Sequence, residues 1–192
     1  MTAGLILAAG ESRRMGSPKA LLEYRGETFL DRLIGLFGLH CSPVIAVLGS
    51  QAEEIRAGLR RGGEACLVEN TDYRRGQLSS LQCGLRALPG EADVLLTLVD
   101  HPALSSDTIV ALLAAPPAPL RIPRYTGRRG HPILFSRILT HEFLALPGTA
   151  AARDVVNRHA TESAYVDVDD SGVLADIDDA AAYVRLLAEG HV

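Results

Sequence analysis

The chain has 192 residues, of which 47% are hydrophobic and 22% charged, and its formal net charge is −4. These values exclude an intrinsically disordered chain, and the negative charge argues against broad nucleic-acid binding, which needs clustered basic side chains. The three cysteines, at positions 41, 66 and 83, show no short pairing and are expected to be reduced thiols. The first apolar run, residues 4–9, is too short for a signal sequence or a membrane span. We therefore expect a soluble, cytoplasmic protein.

Short β-rich runs alternate with helical patterns along the first 115 residues. Strands are predicted at residues 5–7, 44–48 and 94–99, and helices near residues 28–39, 52–61, 78–88 and 106–114. The strand runs are continuously apolar, as expected for parallel strands that are buried on both faces. The alternation predicts an α/β fold, a Rossmann-like three-layer sandwich with a mostly parallel sheet.

The pattern changes in the second half of the chain. Shorter strands are predicted at residues 120–123, 131–135 and within 162–168, with helices at 137–146, from about 149, and at 180–188. No linker is long enough to divide the chain. The sequence therefore predicts one domain over residues 1–192, in which residues 1–105 form the Rossmann-like half and residues 106–192 complete the sheet.

The strongest local pattern follows the first predicted strand. Small residues there let the backbone approach a ligand closely, and their exposed N–H groups can hold phosphate oxygens. Arg14 and Lys19 would supply charge against a triphosphate. The alternative is an ordinary strand-to-helix turn with basic surface residues. The small-residue run is Leu7, Ala8, Ala9, Gly10.

Three aspartates are candidate metal ligands. Asp100 closes the third apolar strand, where its carboxylate would project into the crevice at the carboxyl edge of the sheet and suit Mg²⁺. Asp176 and Asp178 lie two residues apart, so they point the same way in an extended segment, and either could be a second ligand. A turn or capping role is the alternative for Asp100, and an N-cap before the last helix is the alternative for Asp178.

Two further groups of residues are candidates for binding. Gly76 permits an unusual backbone angle before a helix, and Ser79 and Ser80 lie in the first turn, where free N–H groups favour anions. Capping alone would also explain these serines. His131, after Gly130, would orient an acceptor or shape its pocket, although a strand-end histidine bonded to backbone fits equally. No histidine spacing predicts a zinc site, and we assign His101 no catalytic role.

Taken together, these segments resemble the MobA/MocA-like nucleotidyltransferases, which mature the molybdenum cofactor. The first loop is similar to L-A-[AG]-G-x-[ST]-x-R-[ML]-G-x-x-K, and residues 70–81 are similar to N-x-x-[WY]-x-x-G-x-x-x-S-[IL]. Residues 99–102 resemble the G-D-x-P motif. Residues 129–135 and 176–178 resemble the G-H-P-x-x-[FL] and D-I-D blocks of the cytidylyltransferase branch. The five blocks occur in the family's order along nearly the whole chain, and on this resemblance the chain is identified as a member of the family.

The resemblance implies Mg²⁺-dependent transfer of a nucleoside monophosphate from an NTP to a phosphorylated acceptor, without a protein nucleophile. It implies metal on Asp100 and on Asp176 or Asp178, and catalytic roles for Lys19, Arg14 and Asp100. The first half would bind the nucleotide and the second half the acceptor. The implied nucleotide ligands are Leu7, Ala8, Ala9, Gly10, Arg14, Lys19, Asn70, Gly76, Ser80, and the implied acceptor ligands are Gly130, His131, Ser79.

The choice of nucleotide and acceptor depends on the residue types at a few positions within these blocks. The run L-A-A-G implies CTP, because members that use GTP usually read L-A-G-G, and the implied acceptor is molybdopterin carrying molybdenum. Two segments depart from the family pattern: Asp179 and Ala180 replace a common Thr-Pro, and residues 148–153 lack the usual G-D-x-G-A-R. GTP or another acceptor therefore remains an alternative. So do a nicotinamide-dependent oxidoreductase on the same fold and a silent partner that delivers cofactor to a molybdenum hydroxylase.

Overall fold

An eight-stranded sheet forms the centre of the computed structural model, in which residues 1–12 and 14–189 are described. The strands in chain order are β1 (Thr2–Ala8), β2 (Glu23–Tyr24), β3 (Glu27–Thr28), β4 (Val44–Leu48), β5 (Cys66–Glu69), β6 (Asp93–Leu98), β7 (Leu120–Tyr125), β8 (Arg128–Arg129), β9 (Ile133–Phe135) and β10 (Ala164–Asp167). The helices are α1 (Phe29–Gly38), α2 (Ala52–Gly58), α3 (Gln77–Arg86), α4 (Ser106–Ala114), α5 (Ile138–Ala145), α6 (Ala152–Arg158) and α7 (Ala180–Glu189).

The order of strands in the sheet is β10-β7-β9-β6-β1-β4-β5, with β8 paired to β7 and a separate β2–β3 hairpin. β1 runs parallel to both β4 and β6, β5 runs parallel to β4, and β10 runs parallel to β7. Only β9 and the short β8 pair antiparallel with their neighbours in this sheet, among the described residues. The predicted mostly parallel sheet is therefore confirmed.

Helices cover both faces of this sheet, because its central strands are apolar on both sides. In β1, Ile6 and Ala8 pack into a cluster with α1, α4 and α7, while Leu5 and Leu7 pack into a second cluster with α3, α5 and α6. All five residues of β4 are buried. The predicted three-layer sandwich is confirmed. Within the described part of the chain, no helix combines the length and the apolar character needed to cross a membrane.

Besides the short strands β2, β3 and β8, which were not predicted, two differences from the predicted elements have a clear cause. The helix predicted over residues 52–61 ends at Gly58, since the backbone N–H groups of Arg60 and Arg61 donate to the buried carboxylate of Asp31, at 3.1 and 2.7 Å. This contact with α1 draws the chain away from the helical path. The strand β5 was not predicted; it lies at the sheet edge, where its residues are exposed or half-buried and its apolar run, residues 65–68, is short.

Candidate active site

A crevice of about 450 Å³ opens at the carboxyl ends of β1 and β6. It lies where the strand order reverses, since the chain builds β4 and β5 on one side of β1 and β6 on the other. Such a reversal leaves space between adjacent strand-to-helix loops, which is where open α/β sheets bind ligands. Of the predicted nucleotide and catalytic residues, those that line it are Leu7, Ala8, Ala9, Gly10, Arg14, Lys19, Gly76, Ser80, Asp100.

Lys19 is held at the edge of this crevice by the loop that precedes it. Its backbone N–H donates to Ser12 Oγ at 2.9 Å, which fixes the start of a short helical turn over Lys19–Leu21. The next side chain, Ala20, is buried in the core. The Lys19 side chain is only 13% exposed, and no other lysine occurs in the sequence. Ser12 was not among the predicted site residues, although the [ST] position of the motif marks it.

Three carboxylates meet beside Lys19. One oxygen from each of Asp100, Asp176 and Asp178 lies within 4.8 Å of the other two. Lys19 Nζ lies 2.7 Å from Asp178 Oδ1 and 3.5 Å from Asp100 Oδ2, and Arg14 lies 3.0 Å from Asp178 Oδ2. The structure thus brings both predicted metal segments and both predicted basic residues together, although Asp176 lies 76 positions after Asp100 in the sequence.

The surroundings of the three carboxylates shift their pKa values in different directions. Burial raises the pKa of Asp100, and burial together with the charges of Asp100 and Asp178 raises the pKa of Asp176 to about 6. The hydrogen bond from Lys19 instead lowers the pKa of Asp178. Asp100 Oδ1 is buried without a hydrogen-bond partner in the described part of the chain. Hard, crowded carboxylate oxygens with an unpaired member fit a divalent cation such as Mg²⁺.

The segment that carries two of these carboxylates, residues 170–178, is named here the acidic strap. It is anchored at several points: Ile177 N–H donates to Asp100 O at 3.0 Å, and His131 N–H donates to Val173 O at 2.9 Å. At its start, Asp170 accepts a 2.7 Å hydrogen bond from the Thr108 hydroxyl of α4. The strap is therefore positioned by the loop after β6, by α4 and by the loop before β9. No motif in the sequence marked Asp170.

Gly130 lies directly under the acidic strap rather than along the crevice. A Cβ atom added at this position would fall 2.1 Å from the carbonyl oxygen of Val173. Only glycine therefore allows the loop before β9 to approach the strap this closely. The acceptor-binding role predicted for Gly130 has no support in this placement and stays a prediction.

Gly130→Ala is expected to lower the free energy of unfolding by about 1–3 kcal/mol, because backbone must shift to accept the methyl group. Urea unfolding followed by circular dichroism measures the change. Gly63→Ala is the matched control, since a Cβ there meets no atom within 4 Å. Equal unfolding midpoints for the two variants would contradict the close contact.

The rings of His131 and His101 pack against each other at a tilt of 39° beside the carboxylates. Their ring centroids are 4.7 Å apart, and His101 Nε2 lies 3.8 Å from Asp100 Oδ1. Burial lowers the pKa of each imidazole to about 4, so both rings are neutral at physiological pH. Neither ring is among the residues that line the crevice.

This lowered pKa predicts a pH dependence of stability. The unfolded chain protonates each imidazole below its ordinary pKa of 6.5, whereas the folded chain does so only near 4. Their contribution is thus complete above pH 6.5 and is lost as the pH falls toward 4. His131→Asn should lose less stability than the unsubstituted protein between pH 7 and pH 5 in urea unfolding. Asp176 contributes the opposite slope in both proteins, so the difference isolates the imidazole, and parallel profiles would refute the assignment.

Asn70 lies behind the crevice. Its side-chain Nδ2 donates to Ser79 Oγ at 2.9 Å and to Ser80 Oγ at 3.0 Å, and only Ser80 faces the crevice. Gly76, at φ +97°, begins α3 with the unusual backbone angle that was predicted. Ser79 and Asn70 line a different pocket. Tyr73 lines the crevice although no binding role was predicted for it.

Comparison with known proteins identifies the family of this chain. Residues 4–163 match the model of a family described as the MobA-like NTP transferase domain. Nicotine blue oxidoreductase of Paenarthrobacter nicotinovorans is 33% identical, over 96% of this chain and 95% of that protein. Molybdenum cofactor cytidylyltransferase of Escherichia coli K12 is 28% identical, over 91% and 89%.

A solved structure shares the fold. The crystal structure of Rv0371c from Mycobacterium tuberculosis in complex with manganese superposes with a TM-score of 0.77 at 29% identity, covering 97% of this chain and 98% of that one. The family model covers the residues that build the crevice, apart from the acidic strap. The chain belongs to the MobA-like NTP transferase domain family of nucleotidyltransferases.

Proposed function

We propose that the protein transfers CMP from CTP to the phosphate of a molybdopterin-type acceptor in a Mg²⁺-dependent reaction. The observation that carries this proposal is the cluster of Asp100, Asp176 and Asp178 around Lys19 at the end of the crevice. An acceptor phosphate oxygen would form a bond to the α-phosphorus of the nucleotide, the α–β bridging bond would break, and pyrophosphate would leave.

The residues of the chain supply positioning and charge in this reaction. The loop from Leu7 to Gly10 lies against the crevice, where its backbone would hold the nucleotide. Lys19 and Arg14 now bind Asp178, and they would exchange this carboxylate for the oxygens of the departing pyrophosphate. A divalent cation bound by the carboxylates would neutralise and align the phosphate oxygens. No side chain has to act as a nucleophile.

Support for CTP and for the acceptor comes from relatives and from the first loop. Ala9 stands where family members that use GTP usually carry glycine. The cytidylyltransferase of Escherichia coli aligns over 91% of this chain, and its name gives the molybdenum cofactor as its acceptor. The manganese bound to Rv0371c supports the use of a divalent cation, which we infer to be Mg²⁺ in this protein. We also infer that the protein acts in the cytoplasm, where its free cysteines would stay reduced.

The test is pyrophosphate release from each of the four NTPs in the presence of Mg²⁺ and molybdopterin. We expect release with CTP that stops when EDTA is added. Preferential release with GTP would overturn the base assignment and leave the reaction class standing. Absence of release with every NTP, from folded protein with an intact acceptor, would overturn the proposed reaction itself.

A second candidate is a nicotinamide-dependent reductase on the same fold. It is favoured by one observation, the 33% identity with nicotine blue oxidoreductase over nearly the whole length of both chains. The loop after β1 carries no G-x-G-x-x-G, the usual dinucleotide fingerprint. NADPH oxidation followed by absorbance, with quinoid dyes as acceptors, distinguishes the two. Turnover that survives Asp100→Asn would favour the reductase over nucleotidyl transfer.

A further inference from the structure

A second pocket, of about 430 Å³, lies on the far side of Asn70 from the crevice. It is bounded by helix α3, by residues 69–75 at the end of β5 and in the connection to α3, and by residues 144–148 at the end of α5 and after it. Its volume is similar to that of the nucleotide crevice, yet none of its lining residues lines the crevice. The proposed reaction at the carboxylate cluster does not use this second pocket.

The frame of this pocket is preformed. Gln82 of α3 donates from Nε2 to the carbonyl oxygens of Phe143 and Leu146, both at 3.0 Å. These hydrogen bonds fasten α3 to the loop after α5, and so fix the two walls relative to each other. A pocket that exists before its ligand arrives avoids part of the ordering cost of binding.

Charged side chains of both signs line one side of the pocket, Arg75 and Arg86 with Glu69 and Asp72, and the other side is apolar. Glu69 lies 3.4 Å from Arg56, which is outside the lining, and Asp72 lies 3.5 Å from Arg75, and both are long, exposed ion pairs of little strength. Each carboxylate thus has an arginine partner, whereas Arg86 makes no ion pair with any described residue and is the charge left for a ligand. Leu144 and Leu146 supply the apolar side. Arginine recognises phosphate and carboxylate groups through paired N–H donors, and an apolar wall favours an organic body.

Asn70 connects this pocket to the crevice. Its Nδ2 donates both to Ser79 Oγ, which faces the second pocket, and to Ser80 Oγ, which faces the crevice. Asn70 is 5% exposed, and its Oδ1 accepts from the backbone of Asp72 at 3.0 Å. A ligand that engages Ser79 must therefore compete with or reorient the amide that also fixes Ser80.

We propose that this second pocket binds a small organic anion, a phosphate or carboxylate on an apolar body, and that its occupancy is coupled through Asn70 to nucleotide binding. Arg75 and Arg86 would bind the anionic group, and Leu144 and Leu146 would contact the body. The pocket is distinct from the reaction centre, because the attacking phosphate of the acceptor must reach the α-phosphorus beside the carboxylate cluster in the crevice.

The test is an NMR titration of the full ¹⁵N-labelled chain with phenyl phosphate, without metal and with saturating CTP to occupy the crevice. Benzyl alcohol is the uncharged comparison. We expect saturable shifts at the amides of Asn70, Ser79 and Arg86. Binding should weaken at least about tenfold, or about 1.4 kcal/mol, in the double variant Arg75→Gln, Arg86→Gln. The control Arg185→Gln, on α7, should bind as the unsubstituted protein does.

Three results would overturn the proposed anion site: equal affinity in the double variant, equal binding of benzyl alcohol, or shifts confined to crevice residues.

The coupling is measured separately, as the Kd of CTP with and without saturating phenyl phosphate. It should change at least about threefold in the unsubstituted protein and not in Asn70→Ala. An unchanged Kd in the unsubstituted protein would remove the coupling.

Discussion

Asp100→Asn is expected to lower the rate of nucleotidyl transfer about a thousandfold, or about 4 kcal/mol, while leaving the fold intact. Asp100 Oδ1 is buried without a hydrogen-bond partner among the described residues, and Oδ2 is 3.5 Å from Lys19 Nζ, so this carboxylate belongs to both the proposed cation site and the basic cluster. An amide keeps the shape but is a poor ligand for a hard cation. Pyrophosphate release at saturating Mg²⁺ measures the loss.

Asp107→Asn is the matched control, because this carboxylate is exposed on the first turn of α4, away from the carboxylate cluster. The stability of the two variants separates a catalytic from a structural role. Burial already penalises the charged form of Asp100, which is why its pKa is raised. Without metal, Asp100→Asn should therefore unfold at a urea concentration equal to or above that of the unsubstituted protein. A variant that keeps more than a tenth of the activity would contradict the assignment.

Lys19→Met is expected to lower the rate of transfer about a hundredfold or more, since a preorganised charge beside a developing anion is removed. The substitution keeps the length of the apolar stem, so Ala20 and the turn over Lys19–Leu21 should retain their packing. Lys19→Arg should recover only part of the activity, because guanidinium is planar and larger than the compact ammonium.

Chemical modification of Lys19 provides an independent test of its role. Lys19 is the only lysine, so an amine-selective acylating reagent can modify one side chain besides the terminal amine. We expect acylation to inactivate the enzyme and CTP to protect it. Inactivation that proceeds equally with and without CTP would show that Lys19 lies outside the nucleotide site.

Elements with strong local signals were predictable from sequence. The helix α4 begins and ends where predicted, because Ser105 caps it through a 3.2 Å bond from Thr108 N–H and prolines follow its end. The predicted strand over residues 44–48 coincides with β4, since burial on both faces requires a continuous apolar run. Such features depend on neighbouring residues alone.

Features that depend on distant contacts were not predictable in the same way. The end of α2 is set by Asp31, which lies more than 20 residues earlier in the chain. The acidic strap gathers Asp176 and Asp178 beside Asp100 through hydrogen bonds to β6 and the loop before β9. The motif blocks named these aspartates, yet only the fold shows that all three, not two, come together.

The contacts of the residues expected to bind the acceptor were not predictable from the sequence either. The resemblance grouped Gly130, His131 and Ser79 as acceptor ligands, whereas the structure gives each of them different contacts. Gly130 packs under the strap, the His131 ring packs at a tilt against His101, and Ser79 faces the second pocket. A motif records which residues recur in a family, but not whether each touches a ligand or supports a neighbour that does. Their acceptor roles stay predictions.

The nucleotide and metal sites can be located together in a crystal structure of the protein with Mn²⁺ and a non-hydrolysable CTP analogue, using anomalous scattering to find the metal. We expect the triphosphate in the crevice beside Lys19 and an anomalous peak coordinated by Asp100 and at least one of Asp176 and Asp178. An ordered nucleotide bound elsewhere, or a crevice nucleotide with no anomalous peak at the carboxylates, would contradict this expectation.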